Sequence, residues 1–545
     1  MPEKSKSISR KDAIKKLGGL ALSLPVGLPL ISSIGRSPEA STPSFPNIIP
    51  HRKPDKPNIL WITTEGVPLS VLSCYDSRYS KIMQTPNIDR IANEGMLFRN
   101  SFCNNALCAP SRATLLTGKY NHLSGMESNP YATITSNTVT GAHNTFFDPS
   151  QETFPKILKR AGYKTGIAGK WHLKSEPGKP ANPGEAGFDY FVFKEGAGGP
   201  YYNSKGYLQN PSLGSMEIEE REYTGYMTDI FTDLSIKGIE ALRKSNDPFC
   251  FTIQYFNDHR PFEPPHKYEH IYDKVRFPEP GTFWDDYAYR SVAAREAHMR
   301  ISDMMDFNPP KDYTSRQRQQ WSYQQLMRRF LGTLKAQDDN IGRLLDYLDK
   351  TGLSDNTIVV FTGDHGFFLG DHGWFDKRFM YEEALRVPWL VRYPGVIKPG
   401  STSNAWVQSI DNAPTVLDMV GLPVPPDMQG KSLVPVFNNT SADRRKSMYY
   451  HYYEFGSPHW VLPNYGIRTE RYKLISYYTI NEWELFDLDR DPDEMESMFM
   501  EEGIQVYPGY EDVLKDLLTK LEDLKKYYKD NSGKPVKFWP RKSYN

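Results

Sequence analysis

Cysteine is scarce in this chain: there are four in 545 residues, Cys74, Cys103, Cys108 and Cys250. Four cannot staple a fold of that length, so a disulfide scaffold is excluded and packing must hold the molecule together. Net charge is lacking too. Lysine plus arginine equals aspartate plus glutamate at 66 each. No global field therefore gathers polyanions, nucleic acid is not an expected partner, and any anion preference must come from a local pocket. No internal repeat is present. The apolar stretch from Leu17 to Ile34 is broken by Pro25 and Pro29, which argues against a stable membrane span.

What is present begins with that stretch. Basic residues through Lys16 precede it, the layout of an export signal over 1–40 with a cut near Ala40. Ser9-Arg10-Lys11 resembles a twin-arginine signal with one arginine of the pair in place. No cysteine follows to carry a lipid anchor, so the expected location is periplasmic or secreted; the competing reading is a disordered tail. A proline-rich linker covers 41–57. The remainder can bury one large core and a smaller one, and is divided into a large amino-terminal domain at 58–430 and a carboxyl-terminal subdomain at 431–545.

The larger part reads as apolar runs that end in polar residues. Asn58 to Thr64 suits a buried parallel strand, with Glu65 at its carboxyl end. Thr85-Pro86 opens a helix that Gly95 ends, and Met96 to Phe102 is a strand leading to Cys108. Ser150 is expected to cap another helix, ended by Gly162. Three further strands follow. Lys164 to Ala168 delivers Gly169-Lys170-Trp171-His172, Phe249 to Phe256 delivers Asn257-Asp258-His259, and Thr357 to Thr362 delivers Gly363-Asp364-His365-Gly366. Open α/β sheets bind ligands at the carboxyl ends of their strands. The expected fold class is thus α/β: a large doubly wound mixed sheet flanked by helices, with one site along one edge.

Leu107 to Tyr120 reads Leu-Cys-Ala-Pro-Ser-Arg-Ala-Thr-Leu-Leu-Thr-Gly-Lys-Tyr. Pro110 suits a first helical position and Gly118 a helix stop. Cys108 would then face unpaired amides at a helix start, which favour anions and lower a thiol pKa. Arg112 would return to the same face with a planar fork of donors. A buried cysteine ahead of a surface helix is the plainer reading. The stretch resembles the C-x-P-S-R…L-T-G signature of the type I (formylglycine-dependent) sulfatases of the alkaline-phosphatase superfamily, in particular those acting on polysaccharides. The resemblance implies that Cys108 is oxidised to formylglycine by a formylglycine-generating or radical maturation enzyme, and that its hydrate attacks sulfur.

Glu65, Asp364 and His365 taken singly are cap or turn residues; together they suggest a cation, with oxygen ligands favouring calcium or magnesium. The resemblance implies a metal held by Glu65, Asp364, His365 and matured Cys108. The family's usual Asp-Asp pair is here Glu65-Gly66, so its second acid is missing. Choline sulfatases and phosphonate monoester hydrolases manage with such a reduced set. Calcium is expected, and the imidazole admits manganese or zinc. The resemblance further implies that Arg112, Lys170 and Lys377 hold the sulfate. His259 would protonate the leaving oxygen, and His172 would take the proton that releases sulfate.

Ala384 to Pro394 is expected to complete the larger part, with Gln429 to Ser432 starting the crossing to the smaller. Met448 to Phe455, Tyr465 to Ile475 and Glu482 to Asp487 alternate as antiparallel strands do, and Glu511 to Lys529 has helical spacing. Gly196 to Tyr226 and Tyr272 to Arg318 show no pattern. The expected activity is hydrolysis of sulfate esters on a sulfated carbohydrate. Phosphonate or phosphodiester hydrolysis, and a decayed carbohydrate-binding relative, are the alternatives.

Overall fold

The computed structural model describes residues 56–130, 145–176, 181–196, 198–209, 218–437, 445–456, 458–500 and 505–533. The expected export signal and all but the last two linker residues lie outside them.

The strands of the main sheet are β1 (Asn58–Thr64), β2 (Met96–Phe102), β3 (Lys164–Lys170), β4 (Tyr190–Lys194), β5 (Lys205–Gln209), β6 (Ile218–Glu222), β7 (Phe249–Gln254) and β8 (Thr357–Gly363). A two-residue ribbon, β9 (Phe368–Leu369) and β10 (Phe375–Asp376), stands apart, and β11 (Trp389–Arg392) and β12 (Ser401–Gln408) return to the sheet. The order is β12-β2-β11-β8-β1-β7-β3-β4-β5-β6. The centre, β8-β1-β7-β3-β4, is parallel throughout, while β11 and the β4-β5-β6 edge are antiparallel. The carboxyl ends of β1, β3, β7 and β8 therefore share one edge.

The main helices are α1 (Pro86–Asn93), α2 (Cys108–Thr117), α3 (Phe154–Arg160), α4 (Met227–Leu242), α5 (Ser315–Lys350), α6 (Asn412–Met419) and α7 (Glu511–Tyr527). Successive strand residues point to opposite faces, and β1 shows it. Leu60 and Ile62 cluster with Ile88 of α1, Phe231 of α4 and Leu334 of α5. Ile59 and Trp61 cluster with Ala113 of α2, Leu158 of α3 and Val416 of α6. Both faces are covered, which is why β1 is buried at all seven positions.

A second sheet, β13 (Ser447–Tyr452), β14 (Asn464–Thr469), β15 (Tyr472–Tyr477) and β16 (Glu482–Asp487), is wholly antiparallel. Leu517 and Leu521 of α7 pack on it with Ile467, Leu474 and Leu485. The fold class is as expected: a large mixed sheet between helices, and a smaller antiparallel sheet with a helix.

Several local expectations need correction. Thr153, not Ser150, caps α3, its side chain accepting from Lys156 N–H, and Pro155 falls in the first turn where no amide is needed. Cys108 is itself the first residue of α2, after an extended Leu107, and Pro110 is the third. Ala384 to Pro394 does not complete the large sheet: β12 still pairs with β2, and α6 covers it. Tyr465 to Ile475 is two strands, turned at Glu470-Arg471. Gly196 to Tyr226 contains β5 and the edge strand β6, and α5 begins at Ser315, inside the segment without pattern.

Candidate active site

Each strand ends by handing a polar group to the shared edge. Glu65, Cys108, Arg112, Lys170, His172, Asp364, His365 and Lys377 are all at most 2% exposed. The side chain of His259 is 17% exposed and is the outward-facing member. Gly169 explains how β3 comes so close to β7: a Cβ there would lie 2.1 Å from the Gln254 carbonyl oxygen, and its φ is +110°. Only glycine fits.

Glu65 is the centre. Its Oε1 lies 2.7 Å from Cys108 Sγ and 2.7 Å from Lys170 Nζ, and its Oε2 lies 2.5 Å from Lys170 Nζ and 3.2 Å from Arg112 Nη2. His259 Nε2 and Lys377 Nζ stand at 3.8 and 3.9 Å from Oε1. Arg112 also meets Asp364 Oδ2 at 3.1 Å and the Lys170 carbonyl oxygen at 3.1 Å, and donates to Gln254 Oε1. The Arg112 fork thus ties the two carboxylates together, a placement its spacing from Cys108 did not reveal. Ser111 Oγ donates to the Asp364 carbonyl.

These charges set one another. Burial alone would raise the Glu65 carboxyl, and Cys108 adds to that, but Lys170, His259 and Arg112 bring it below its ordinary value. Burial would likewise raise the Cys108 thiol; Lys170 and Lys377, with hydrogen bonds to His172 and His259, pull it well down. Burial opposes the Lys377 ammonium, yet Cys108, Asp376 and Glu65 hold its pKa above the ordinary lysine value. His172 is pushed down to about 4, by burial first and Lys170 second. It is therefore neutral at neutral pH, as a base must be.

The other wall carries electron pairs. His365 Nδ1 lies 2.8 Å from the Gly366 carbonyl oxygen, which only accepts, so Nδ1 bears the hydrogen and Nε2 is the atom whose lone pair the neutral ring would offer. His365 Nε2 has no hydrogen-bond partner among the described residues and sits 3.4 Å from Asp364 Oδ1. Asp364 Oδ1 accepts from Gly66 N–H and His365 N–H at 3.1 and 2.9 Å, while Oδ2 faces the Arg112 guanidinium at 3.1 Å. Burial raises the Asp364 carboxyl, with His365 and Arg112 opposing. Ligand atoms of Glu65, Cys108 and His365 all lie within 4.8 Å of one another. Two carboxylates, a correctly tautomerised imidazole and the oxygen that matured Cys108 would bear fit a divalent cation.

Three features were not singled out from the sequence. Gln254 anchors Arg112. Asn129 Oδ1 accepts from Ala109 N–H at 3.1 Å, satisfying an amide at the start of α2, and Glu454 Oε2 holds Asn129 N–H at 3.2 Å. Lys377 lies between Asp376 and Arg378, whose φ values are +77° and +95°; Asp376 binds Arg378 Nη1 at 2.6 Å and His459 Nε2 at 3.0 Å. No repeating pattern marks such long-range contacts.

Two family matches tile this chain: Sulfatase over 57–422, and N-sulphoglucosamine sulphohydrolase, C-terminal, over 370–527. An N-acetylglucosamine-6-O-sulfatase of Bacteroides thetaiotaomicron is 41% identical over 527 residues, 87% of each chain. The chain belongs to the sulfatase family. It is accordingly an enzyme that hydrolyses sulfate esters, and sulfatases generally use a formylglycine and a divalent metal. Human N-acetylglucosamine-6-sulfatase is 30% identical over 64% of this sulfatase and 60% of its own length. Among solved structures, that of BT4656 in complex with its substrate D-glucosamine-2-N,6-O-disulfate superposes with a TM-score of 0.76 at 40% identity, over 87% of this chain and 99% of that one. The phosphonate monoester hydrolase of Agrobacterium radiobacter shares the fold at 18% identity and a TM-score of 0.64, over 87% of this chain and 96% of that one. No helix among the described residues is long and apolar enough to cross a membrane.

Proposed function

We propose that this sulfatase removes the 6-O-sulfate from glucosamine residues of a sulfated glycan, using formylglycine made from Cys108 and a divalent cation held by Glu65, Asp364 and His365, calcium by preference. The observation that carries the reading is the buried meeting of Glu65, Cys108 and His365 beside Lys170 and Lys377. The sugar follows from the relative that is 41% identical over most of both chains and from the glucosamine disulfate bound by BT4656.

The thiol of Cys108 stands where the matured side chain would be. When present, the cation supplies Lewis acidity and the aldehyde hydrate supplies the attacking hydroxyl. Lys170 Nζ and Lys377 Nζ bind the equatorial sulfate oxygens and meet the charge that develops there. Arg112 orients Glu65 and Asp364 rather than touching sulfate. His259 Nε2, the exposed member, faces the incoming sugar and gives its proton to the leaving O6. His172, neutral by burial, takes the proton whose loss expels sulfate and restores the aldehyde. A cysteine left unoxidised, or a serine, would remain sulfated. Residues 1–40 are read as an export signal, putting the enzyme in the periplasm or outside the cell.

The test combines two measurements. Mass spectrometry of the Cys108 peptide from a strain with a maturation enzyme should show formylglycine. The same protein should release sulfate from N-acetyl- and N-sulfo-glucosamine 6-sulfate in preference to 2-O- or 3-O-sulfated sugars. Cys108→Ser should lose multiple turnover by at least about 10³-fold. Steady hydrolysis by that variant, or a preference for another sulfate position, refutes the corresponding half.

A further inference from the structure

Four strand ends supply the site, and the parallel block has a fifth. β4 ends at Lys194, whose Cα is the register partner of Lys170, and Trp171 N–H donates to the Lys194 carbonyl at 3.2 Å. Parallel neighbours lie about 4.8 Å apart, so the two lysines leave the sheet side by side at its ligand-binding edge. Val192 packs on the face that carries Tyr201, and Lys194, two residues on, faces the same way. Tyr201 Oη donates to the His259 carbonyl at 2.6 Å, and a Cβ on Gly198 would lie 3.0 Å from His259 Nδ1. The segment 198–204 thus runs from the outward-facing histidine of the site to Lys194.

The Lys194 ammonium has no anion. Lys194 is 9% exposed, and its Nζ donates to Ser204 Oγ at 3.1 Å. No carboxylate reaches it among the described residues. Glu195, the acid next to it, is turned instead to Lys174 Nζ at 3.3 Å and Ala181 N–H at 3.1 Å. Lys170 and Lys377, by contrast, stand beside carboxylates: Lys170 at Glu65, Lys377 at Glu65 and Asp376. A buried ammonium with one neutral partner is costly to keep. Burial first and Lys170 second hold its pKa below the ordinary lysine value. An anion carried in by the substrate reverses that cost.

We propose that Lys194 binds a second anionic group of the substrate, beside the sulfate that is removed: an N-sulfate on the same sugar or a carboxylate on its neighbour. The proposal rests on the sugar reading of the preceding section. It makes Lys194 a specificity residue, which adds affinity for doubly charged sugars and takes no part in bond breaking.

The test is sugar binding by the full chain carrying Cys108→Ala, which leaves every ligand intact. Calorimetry compares N-acetylglucosamine 6-sulfate, with a single anion, against N-sulfoglucosamine 6-sulfate and against N-acetylglucosamine 6-sulfate linked to a uronic acid. Lys194→Met should weaken a doubly anionic ligand about tenfold or more and leave the singly anionic one unchanged. Which of the two loses affinity tells the N-sulfate from the carboxylate. Lys194→Arg should restore most of the loss. In the matured enzyme the same factor should appear in KM, with kcat unaltered. Affinities that Lys194→Met leaves unchanged overturn the proposal, as does an equal loss on all the ligands. An enzyme that binds these sugars but releases no 6-O-sulfate sinks the substrate reading alone, and the affinities still judge Lys194. Should Lys194→Met not fold, Lys194→Gln is compared in the same way.

Discussion

Glutamine at position 65 is the most searching perturbation of this site, because Glu65 is the anion on which its cations converge. The carboxylate is 2.5 Å from Lys170 Nζ, 3.2 Å from Arg112 Nη2 and 3.9 Å from Lys377 Nζ, at 1% exposure. At an effective dielectric of about 20, a unit pair at the Lys170 distance is worth roughly 7 kcal/mol. Glutamine recovers several kcal/mol of that by escaping the desolvation of a buried charge. Arg112 keeps Asp364, but Lys170 is left buried beside a neutral amide. The net loss should be about 3–5 kcal/mol, as for other buried pairs broken at one end. Urea unfolding in EDTA, followed by tryptophan emission, measures it. Removing both ends should cost much less, so Glu65→Gln with Lys170→Met should lie within about 2 kcal/mol of the unaltered protein. A single variant within about 1 kcal/mol of the unaltered protein, or two effects that simply add, would refute the electrostatic account.

Two pH effects follow from the histidines. With His172 at about 4 and acting in the release of sulfate, the acid limb of kcat should fall as pH drops through that value. Lys170→Met removes one of the two causes of the depression, so residual activity should show the limb shifted upward; an unmoved limb rules out His172 as the base. His459, depressed from 6.5 to about 4 by burial first and Arg378 second, acts on stability. Between those pH values the unfolded chain binds a proton that the folded chain refuses, so stability falls as pH falls from 6.5 to 4. The full span is worth about 3 kcal/mol. Melting curves of His459→Gln should lose that part of the slope, and an identical slope in both proteins would reject it.

The polar ends of the strands were legible because buried parallel strands are continuous apolar runs, and Glu65, Lys170, His259 and Asp364 interrupt them at predictable places. What stayed hidden had a different physical origin. β6 presents Glu219, Glu220, Arg221 and Glu222 on an edge strand with little apolar face to alternate. β12 alternates only in part, Ser401-Thr-Ser-Asn preceding its buried Ala405, Val407 and Gln408. The first three turns of α5 are almost wholly polar, and its buried stripe becomes dense only from Ser322 onward.

The smaller sheet also enters the chemistry, which its antiparallel pattern could not announce. His459, in the connection between β13 and β14, grips Asp376 from the side opposite Arg378. The backbone on both flanks of Lys377 is in the left-handed region, a conformation that costs of order 1–3 kcal/mol per residue and persists only where its surroundings impose it. Glu454, after β13, fixes the segment whose Asn129 caps the start of α2. One sheet edge thus places the carboxylates and Lys170. The other sheet clamps the lysine and the helix start that face them, so the positive charges of the site are set by contacts from both.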